Sequence, residues 1–226
     1  MKVWAVILAG GQGKRMNSNV HKQYLLIKDK PVIYYTIKAF EESMVDGIVL
    51  VCGAGETAYC QNEIVDHYGF EKVKHIVEGG KERYNSVYNG LSAIEAADYV
   101  LIHDGARPFV TKDIIERNIA CVQEYGACVT AMISKDTVKI SDANGFVSAT
   151  PDRNNVWIVQ TPQTFEYSLI KDAYTQILST NADGITDDAM VLERAAGHPI
   201  KFVEGSYTNL KITTPEDLKI AEILIQ

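Results

Sequence analysis

The sequence lacks the features that define several common classes of protein. Its four cysteines, Cys52, Cys60, Cys121 and Cys128, form no C-x-x-C pair, and no histidine lies at zinc-ligand spacing from them. We therefore expect reduced thiols in a cytoplasmic protein, not a disulfide framework or a zinc site. No apolar run approaches the roughly 18 residues that suggest a membrane-spanning helix, so a membrane is not an expected partner.

An excess of positive charge is also absent. The formal net charge is −7, and such a surface repels nucleic acid, which is therefore not an expected partner either. The 226 residues include 46% hydrophobic and 23% charged residues, an ordinary globular mixture. Since no internal repeat or linker divides the chain, we predict a single domain over 1–226.

Short apolar runs alternate with helical patterns in the first part of the chain. The patterns predict strands at 3–9, 46–53, 72–80, 98–108 and 127–133, and helices at 31–42, 57–69, 82–96 and 112–126. Further along they predict helices at 166–179 and 187–196, a strand near 200–205, and a last helix with Thr214 as its cap and Pro215 first. Continuous apolar strands separated by helices indicate an α/β fold, with a mainly parallel sheet covered on both faces.

The alternation of strand and helix patterns stops at 134–165. Two alternating segments, "DTVKIS" and "GFVSAT", flank "DANG", and Asn144-Gly145 is a strong hairpin signal. Few bulky apolar residues occur in this stretch for its length. We therefore predict a β-hairpin arm that projects from the sheet, at about 134–160.

The stretch "VILAGGQGKRMNSNVHKQYL" (6–25) places glycines directly after the first strand. Glycines there let backbone N–H groups surround an anion. A Walker A loop is excluded because Arg15 follows Gly13-Lys14, and a dinucleotide fingerprint is excluded because Met16 replaces its third glycine. The pattern indicates a basic loop in which Arg15 and Lys22 grip a polyphosphate. The alternative is that these are solvated surface charges.

A second signal is "HDGARPF" (103–109). Asp104 ends an apolar strand, where open α/β sheets bind ligands and where a carboxylate beside phosphates can bind magnesium. Arg107 is then available for an anionic second substrate. The alternative is a capping aspartate with a structural arginine. His103 is expected to pack or hydrogen-bond, and "VEGGKERYNSV" (77–87) is a weaker nucleotide signal.

Ten blocks occur in a characteristic order: "AGGQGKRM", "HKQYL", "GGKERYNSV", "HDGARPF", "KDTVK", "TPDRNNVW", "QTPQTF", "ITDDA", "VEGSYTNLKIT" and "PEDLKIAE". With them the chain resembles the 2-C-methyl-D-erythritol 4-phosphate cytidylyltransferase family over nearly its whole length. The resemblance implies a Rossmann-like, mainly parallel sheet flanked by helices, of the nucleotide-diphospho-sugar transferase type. It also implies non-mevalonate isoprenoid synthesis, CTP as co-substrate, Mg²⁺, and a homodimer formed through the arm.

The resemblance also implies roles for individual residues. Two sets of residues would contact CTP. The first would bind it through the backbone of Leu8, Ala9, Gly10 and Gly11, and the second, Gly80, Lys81, Arg83 and Ser86, would help to hold the cytidine. Arg15 and Lys22 would stabilise the triphosphate in the transition state, and Asp104 would bind the metal near both substrates. The sugar-phosphate site would be lined by Arg107, Thr137, Thr161, Thr186 and Lys211, with Arg153 reaching over from the neighbouring subunit; Arg153 and Lys211 would grip the attacking phosphate.

Several alternatives stay open from the sequence. Ribitol 5-phosphate is a second candidate acceptor, because the motifs do not measure the shape of the acceptor site. A sugar-1-phosphate nucleotidyltransferase with another base is disfavoured by the arm and by "QTPQTF". A non-catalytic nucleotide-binding protein is disfavoured because Arg15, Lys22 and Asp104 are all present.

Overall fold

The computed structural model of the chain describes residues 1–11, 21–180 and 182–225. Residues 12–20, with the predicted triphosphate ligand Arg15, lie outside the described part. A seven-stranded sheet organises the rest. Its strands are β1 (Val3–Leu8), β4 (Gly47–Cys52), β5 (Val73–Glu78), β6 (Tyr99–Asp104), β7 (Ala127–Ile133), β10 (Trp157–Glu166) and β11 (Lys201–Glu204). Across the sheet they lie in the order β11-β7-β10-β6-β1-β4-β5.

The sheet is mixed but mostly parallel, which confirms the predicted fold class. β1 pairs in parallel with β4 and β6, β4 with β5, and β7 with β11. β10 lies between β6 and β7 and is antiparallel to both. Two small hairpins complete the strands: β2 (Leu26–Ile27) with β3 (Lys30–Pro31), and β8 (Ile140–Ser141) with β9 (Val147–Ala149).

Helices cover both faces of the sheet. They are α1 (Val32–Glu41), α2 (Thr57–Tyr59, continued by a π-helical segment, Cys60–Asp66), α3 (Arg83–Ser92), α4 (Lys112–Tyr125), α5 (Tyr167–Ser179), α6 (Asp188–Ala196) and α7 (Pro215–Leu224). The predicted cap of α7 is confirmed, since the Thr214 side chain accepts from the Asp217 N–H in a capping box. No helix within the described ranges is long and apolar enough to cross a membrane.

Alternation along β1 divides the core between the two faces. Val3, Ala5 and Ile7 belong to one buried cluster, which includes residues of α1 and α4. Trp4 and Val6 belong to the other, which includes residues of α3, α5 and α6. Both faces of this strand are covered, so its sequence is continuously apolar, as parallel strands in α/β proteins commonly are.

The predicted strands and helices are present with shifted ends, but one large element was missed. The sequence patterns place the start of β10 at the end of the arm and predict no element at 161–165, but β10 is a ten-residue strand in the middle of the sheet. Its first residues are partly exposed, and Pro162 interrupts the strand signal. β2 and β3 were also missed, because two-residue strands leave no periodic pattern.

The predicted arm contains a separate two-stranded sheet, β8 with β9. All ten residues 141–150 are exposed. Among them Phe146 and Val147 keep 72% and 64% of their surface accessible, and nearby Ile140 keeps 51%. The arm thus presents apolar side chains away from the core of its own chain.

Helix α3 packs on the sheet through Gly90. A Cβ atom at this position would lie 2.5 Å from Cγ1 of Val6 and 2.9 Å from Cγ2 of Val51. Gly90→Ala should gain about 1 kcal/mol of helix propensity, but the overlap with two stiff valines should exceed that gain. We expect the free energy of unfolding, measured in urea, to fall by about 1–2 kcal/mol.

Val6→Ala provides the matched background for this prediction. It removes the nearer methyl groups, so the additional cost of Gly90→Ala should shrink in the double variant. Equal or greater stability of the Gly90→Ala single variant would contradict the close packing described.

Candidate active site

A cavity of about 900 Å³ opens where the parallel strands end. Leu8 at the end of β1 pairs with Asp104 at the end of β6 and with Val51 of β4, while Cys52 pairs with Glu78 of β5. The register therefore brings four strand ends to one edge, the usual ligand-binding edge of an open α/β sheet. The residues that line the cavity are Leu8, Gly10, Gly11, Lys22, Gln23, Cys52, Gly53, Ala54, Gly79, Gly80, Lys81, Glu82, Arg83, Ser86, Asp104, Ala106 and Lys211.

Most of the candidate site residues lie at this cavity. The lining includes Leu8, Gly10, Gly11, Lys22, Gly80, Lys81, Arg83, Ser86, Asp104 and Lys211. Ala9 is buried just beside it and accepts a hydrogen bond from Gln23 Nε2. The sequence interpretation missed the segment Cys52–Ala54 as a further wall, although a glycine after an apolar strand was a usable signal.

The other candidates lie outside the lining. Arg107 and Thr161 are largely buried and bond to other protein groups, as described below. Thr137 and Arg153 lie exposed in the arm, and Thr186 lies exposed just before α6. Arg153 donates to the Lys135 carbonyl at 3.4 Å.

A glycine turn brings the backbone to the cavity on the α3 side. A Cβ on Gly80 would lie 2.4 Å from Cβ of Asn85, so the turn into α3 closes only with glycine here. The Gly80 N–H donates to Ser86 Oγ at 3.0 Å. This tight turn brings the main chain to the cavity surface, where its polar groups can contact a ligand.

Asp104 is a mostly buried carboxylate surrounded by three cations. Lys211 Nζ lies 2.9 Å from Oδ2, Arg107 Nε 3.5 Å from Oδ2, and Arg83 Nε 3.6 Å from Oδ1. Burial alone would raise the pKa of Asp104, but the charges of Arg83, Lys211 and Arg107 outweigh it and hold this pKa well below its usual range. The carboxylate is therefore ionised, and positive charge collects at the cavity floor.

Hydrogen bonds fix the chain just before and just after Lys211. Two residues before it, the Asn209 carbonyl accepts from Arg107 Nη1 at 2.8 Å. One residue after it, the Ile212 N–H donates to the Ala106 carbonyl at 2.8 Å. Asn209 is fully buried and also donates through Nδ2 to the Thr161 carbonyl at 3.0 Å. Sequence reasoning missed Asn209, whose role depends on partners about 50 and 100 residues away.

Lys22 lies on a short turn, Lys22–Tyr24, and its Nζ donates to the Ile212 carbonyl at 3.1 Å. Glu56 anchors this turn from both sides. Its Oε1 lies 2.6 Å from His21 Nδ1, and its Oε2 accepts from Tyr24 OH at 2.9 Å. The same Oε2 accepts from the Gly53 N–H at 2.9 Å, so Glu56 ties the turn to the loop after β4.

His103 and Thr161 form the layer beneath Asp104. The Thr161 hydroxyl accepts from the Asp104 N–H at 3.1 Å and lies 3.0 Å from His103 Nδ1. His103 Nε2 lies 3.2 Å from the Arg107 carbonyl, which can only accept, so Nε2 carries the proton and Thr161 donates to Nδ1. Burial lowers the pKa of His103 to about 3, so this side chain is neutral and supports Asp104.

Asp104 can contribute one carboxylate to a divalent cation. Across the described ranges, no group of three or more histidine, cysteine, aspartate or glutamate side chains can hold a metal on its own. Mg²⁺ commonly binds through one or two carboxylates together with substrate phosphates. The ionised Asp104, at a cavity large enough for a nucleotide, fits that mode of binding.

The relatives of this chain are nucleotidyltransferases. Its residues 3–226 match the family model described as "IspD: 2-C-methyl-D-erythritol 4-phosphate cytidylyltransferase". The chain therefore belongs to this family, and the predicted resemblance is confirmed.

Individual relatives match this chain over nearly the full length of both sequences. The 2-C-methyl-D-erythritol 4-phosphate cytidylyltransferase of Lachnoclostridium phytofermentans is 54% identical, with 100% of this chain and 97% of the relative covered. That of Alkaliphilus oremlandii is 51% identical, with 100% and 95% covered. The crystal structure of 4-diphosphocytidyl-2C-methyl-D-erythritol synthase from Anaerococcus prevotii superposes with a TM-score of 0.89 at 32% identity, with 100% and 96% covered.

The neutral His103 predicts a pH dependence of stability. In the unfolded chain His103 takes up a proton near its ordinary pKa of 6.5, but in the folded chain only near about 3. Protonation therefore favours unfolding, and stability falls as the pH is lowered between these values, by up to about 1.4 kcal/mol per pH unit. We expect His103→Gln to flatten the dependence of unfolding free energy on pH between about pH 6 and about pH 4.5.

The exposed His67 offers the matched control, because His67→Gln also removes one histidine. The His67→Gln variant should keep the slope of the parent chain. An unchanged slope in His103→Gln would mean that this histidine is protonated in the folded protein.

Proposed function

We propose that this chain transfers the cytidylyl group of CTP to 2-C-methyl-D-erythritol 4-phosphate and releases pyrophosphate, a step of non-mevalonate isoprenoid synthesis. The family match from residue 3 to residue 226 carries the proposal. It is supported by the cavity at which Lys22, Asp104 and Lys211 converge. The names of the relatives favour methylerythritol phosphate over ribitol 5-phosphate as acceptor.

The chemistry suits a site of this charge. The nucleophile is a phosphate oxygen that is already ionised at neutral pH, so the reaction needs no general base, and the neutral His103 is not required as one. It needs two anions held in line and their charges offset. Lys22 and Lys211 at the cavity are suited to this, and Arg15 is assigned to the triphosphate by the family resemblance alone.

The remaining assignments follow the cavity walls. We assign CTP to the backbone of 8–11 and of the turn at 80–86, because both segments border the cavity. We assign the acceptor phosphate to Lys211 and Arg153, and the family resemblance adds Thr186 to the acceptor site. Arg107 and Thr161, which bond to protein groups, would act by holding Asp104 and the segment around Lys211.

We also assign Mg²⁺ to Asp104. When bound, the ion would offset charge on the triphosphate. The assignment is supported by the ionised state of the Asp104 carboxylate and by the family resemblance. The cytoplasmic location stays a prediction from cysteine usage.

Pyrophosphate release tests the reaction directly. The purified chain should release pyrophosphate from CTP and Mg²⁺ with 2-C-methyl-D-erythritol 4-phosphate, and much more slowly with ribitol 5-phosphate. ATP, GTP and UTP should each support little release. Faster turnover with ribitol 5-phosphate would identify that compound as the acceptor. No pyrophosphate release with either acceptor would refute the proposed cytidylyltransferase activity.

Lys22→Ala tests the cavity as the site of reaction. Loss of one preorganised charge contact should lower turnover by about 100-fold or more, with a smaller effect on CTP binding. Lys219→Ala removes an exposed lysine of α7 and is the matched control, with turnover expected to stay unchanged. Near-normal turnover of Lys22→Ala would exclude the proposed role.

We further propose a homodimer in which the arm of one subunit completes the site of the other. Two observations support it. Arg153 and Thr137, assigned by resemblance to the acceptor, lie in the arm and outside the cavity lining of their own chain. The arm also exposes Phe146, Val147 and Ile140, an apolar surface suited to a protein interface.

Mixed subunits test shared sites. Arg153→Ala and Lys22→Ala homodimers should each be nearly inactive, because every site lacks one contact. A mixed dimer has one site in which both contacts are intact, so mixing should restore part of the activity, up to about a quarter of the parent value when subunits pair at random. No recovery after demonstrated subunit exchange would show that each site is formed within one chain.

A further inference from the structure

We propose that Asp188 is a positioning residue that holds Arg83 against Asp104 and offsets one positive charge at the cavity. Neither Asp188 nor its partner Tyr174 was among the predicted site residues. The inference rests on the proposed function, because it concerns how the cavity accepts both a triphosphate and a divalent cation. It also changes the role of Arg83, from holding cytidine to holding Asp104.

The geometry joins two carboxylates through one guanidinium. Arg83 Nη1 donates to Asp188 Oδ1 and Nη2 to Oδ2, both at 2.7 Å. The remaining nitrogen, Nε, lies 3.6 Å from Asp104 Oδ1. Because a bidentate pair fixes the plane of the guanidinium, Asp188 determines where Arg83 meets Asp104.

Asp188 itself is held rigidly. It is fully buried, and Tyr174 OH donates to its Oδ1 at 2.6 Å. Gln163 Oε1, on β10, accepts from the N–H groups of Asp188 at 3.0 Å and Ala189 at 2.9 Å. The first turn of α6 is therefore fixed to the sheet, and the carboxylate has little freedom to follow a moving partner.

The charges explain why such a residue is useful. A divalent cation that approaches Asp104 meets three positive side chains, Arg83, Arg107 and Lys211. Among the described ion pairs, only Arg83 of these three has a second carboxylate. Asp188 thus offsets one of the three charges without moving it, which lowers repulsion toward a cation, while Lys211 stays at the cavity lining, where phosphate oxygens can reach it.

This role predicts a change in metal-free CTP affinity that is opposite in direction to the change expected from a structural defect. Asp188→Asn keeps the size of the side chain but removes the negative charge. Without metal, CTP should then bind more tightly, by about 3- to 15-fold, because one more positive charge at the cavity is left without its offset. At the same time, turnover should require a higher Mg²⁺ concentration. A structural defect would instead weaken CTP binding.

Calorimetric titration of the full chain with CTP in the presence of EDTA measures the first effect. Tyr174→Phe removes one bond to Asp188 but keeps both charges, so its metal-free affinity should stay within about twofold of the parent. Asp187→Asn is a second control: it removes the adjacent charge, faces Gln163 instead of Arg83, and retains a good helix cap. A Mg²⁺ titration of turnover then measures the second effect.

A double variant covers the case in which Asp188→Asn does not fold, which thermal unfolding would reveal. Arg83→Met/Asp188→Asn removes both charges and leaves an acceptor for Tyr174. Removal of both members of an ion pair is generally tolerated better than removal of one. Its metal-free CTP affinity should match the parent within about twofold. A clearly weaker affinity would mean that Arg83 binds CTP itself, which would overturn the inference.

The outcomes also separate this inference from the proposed function. A parent chain that neither binds CTP nor releases pyrophosphate would refute the proposed function. A parent chain that does both, together with an Asp188→Asn variant whose metal-free CTP binding is unchanged or weaker, would refute only the role of Asp188.

Discussion

The parallel register of β1 with β4 and β6 is the constraint on which the site depends. It sets Leu8 opposite Asp104 and Val51, so the loops that leave these strands start at the same level of the sheet. The glycines after β1, the segment after β4 and the turn into α3 then border one cavity. A one-residue shift of β6 would turn Asp104 to the other face of the sheet.

The cations around Asp104 both stabilise a buried carboxylate and contribute positive charge at the cavity. Without partners, burial of Asp104 would be costly. With Arg83, Arg107 and Lys211 around it, the carboxylate is stabilised in its charged form, and two of these cations, Arg83 and Lys211, also line the cavity. The neutral His103 beneath it supplies hydrogen bonds but no charge, so the balance at the floor is set by the ion pairs.

The parts that could be predicted from the sequence are those with local signals. Apolar runs that end in glycine or aspartate predicted the parallel strands, Asp104 and the glycine loop. β10 gave no such signal, because its insertion between β6 and β7 is decided by long-range pairing. Asp188, Glu56 and Asn209 are ordinary polar residues in the sequence. Each acquires its role from partners that are distant along the chain, such as Arg83, 105 residues from Asp188.

β10 also sets a limit on how this protein can be altered. It starts beside the arm, where Trp157 stacks on Phe202, and continues through Thr161 and Gln163 to the centre of the sheet. One continuous strand thus carries the base of the arm, the support of Asp104 and the anchor of α6. An arm from a relative can therefore be exchanged cleanly only if both junctions lie before Trp157. Beyond that point, a chimera would exchange catalytic scaffold along with the arm.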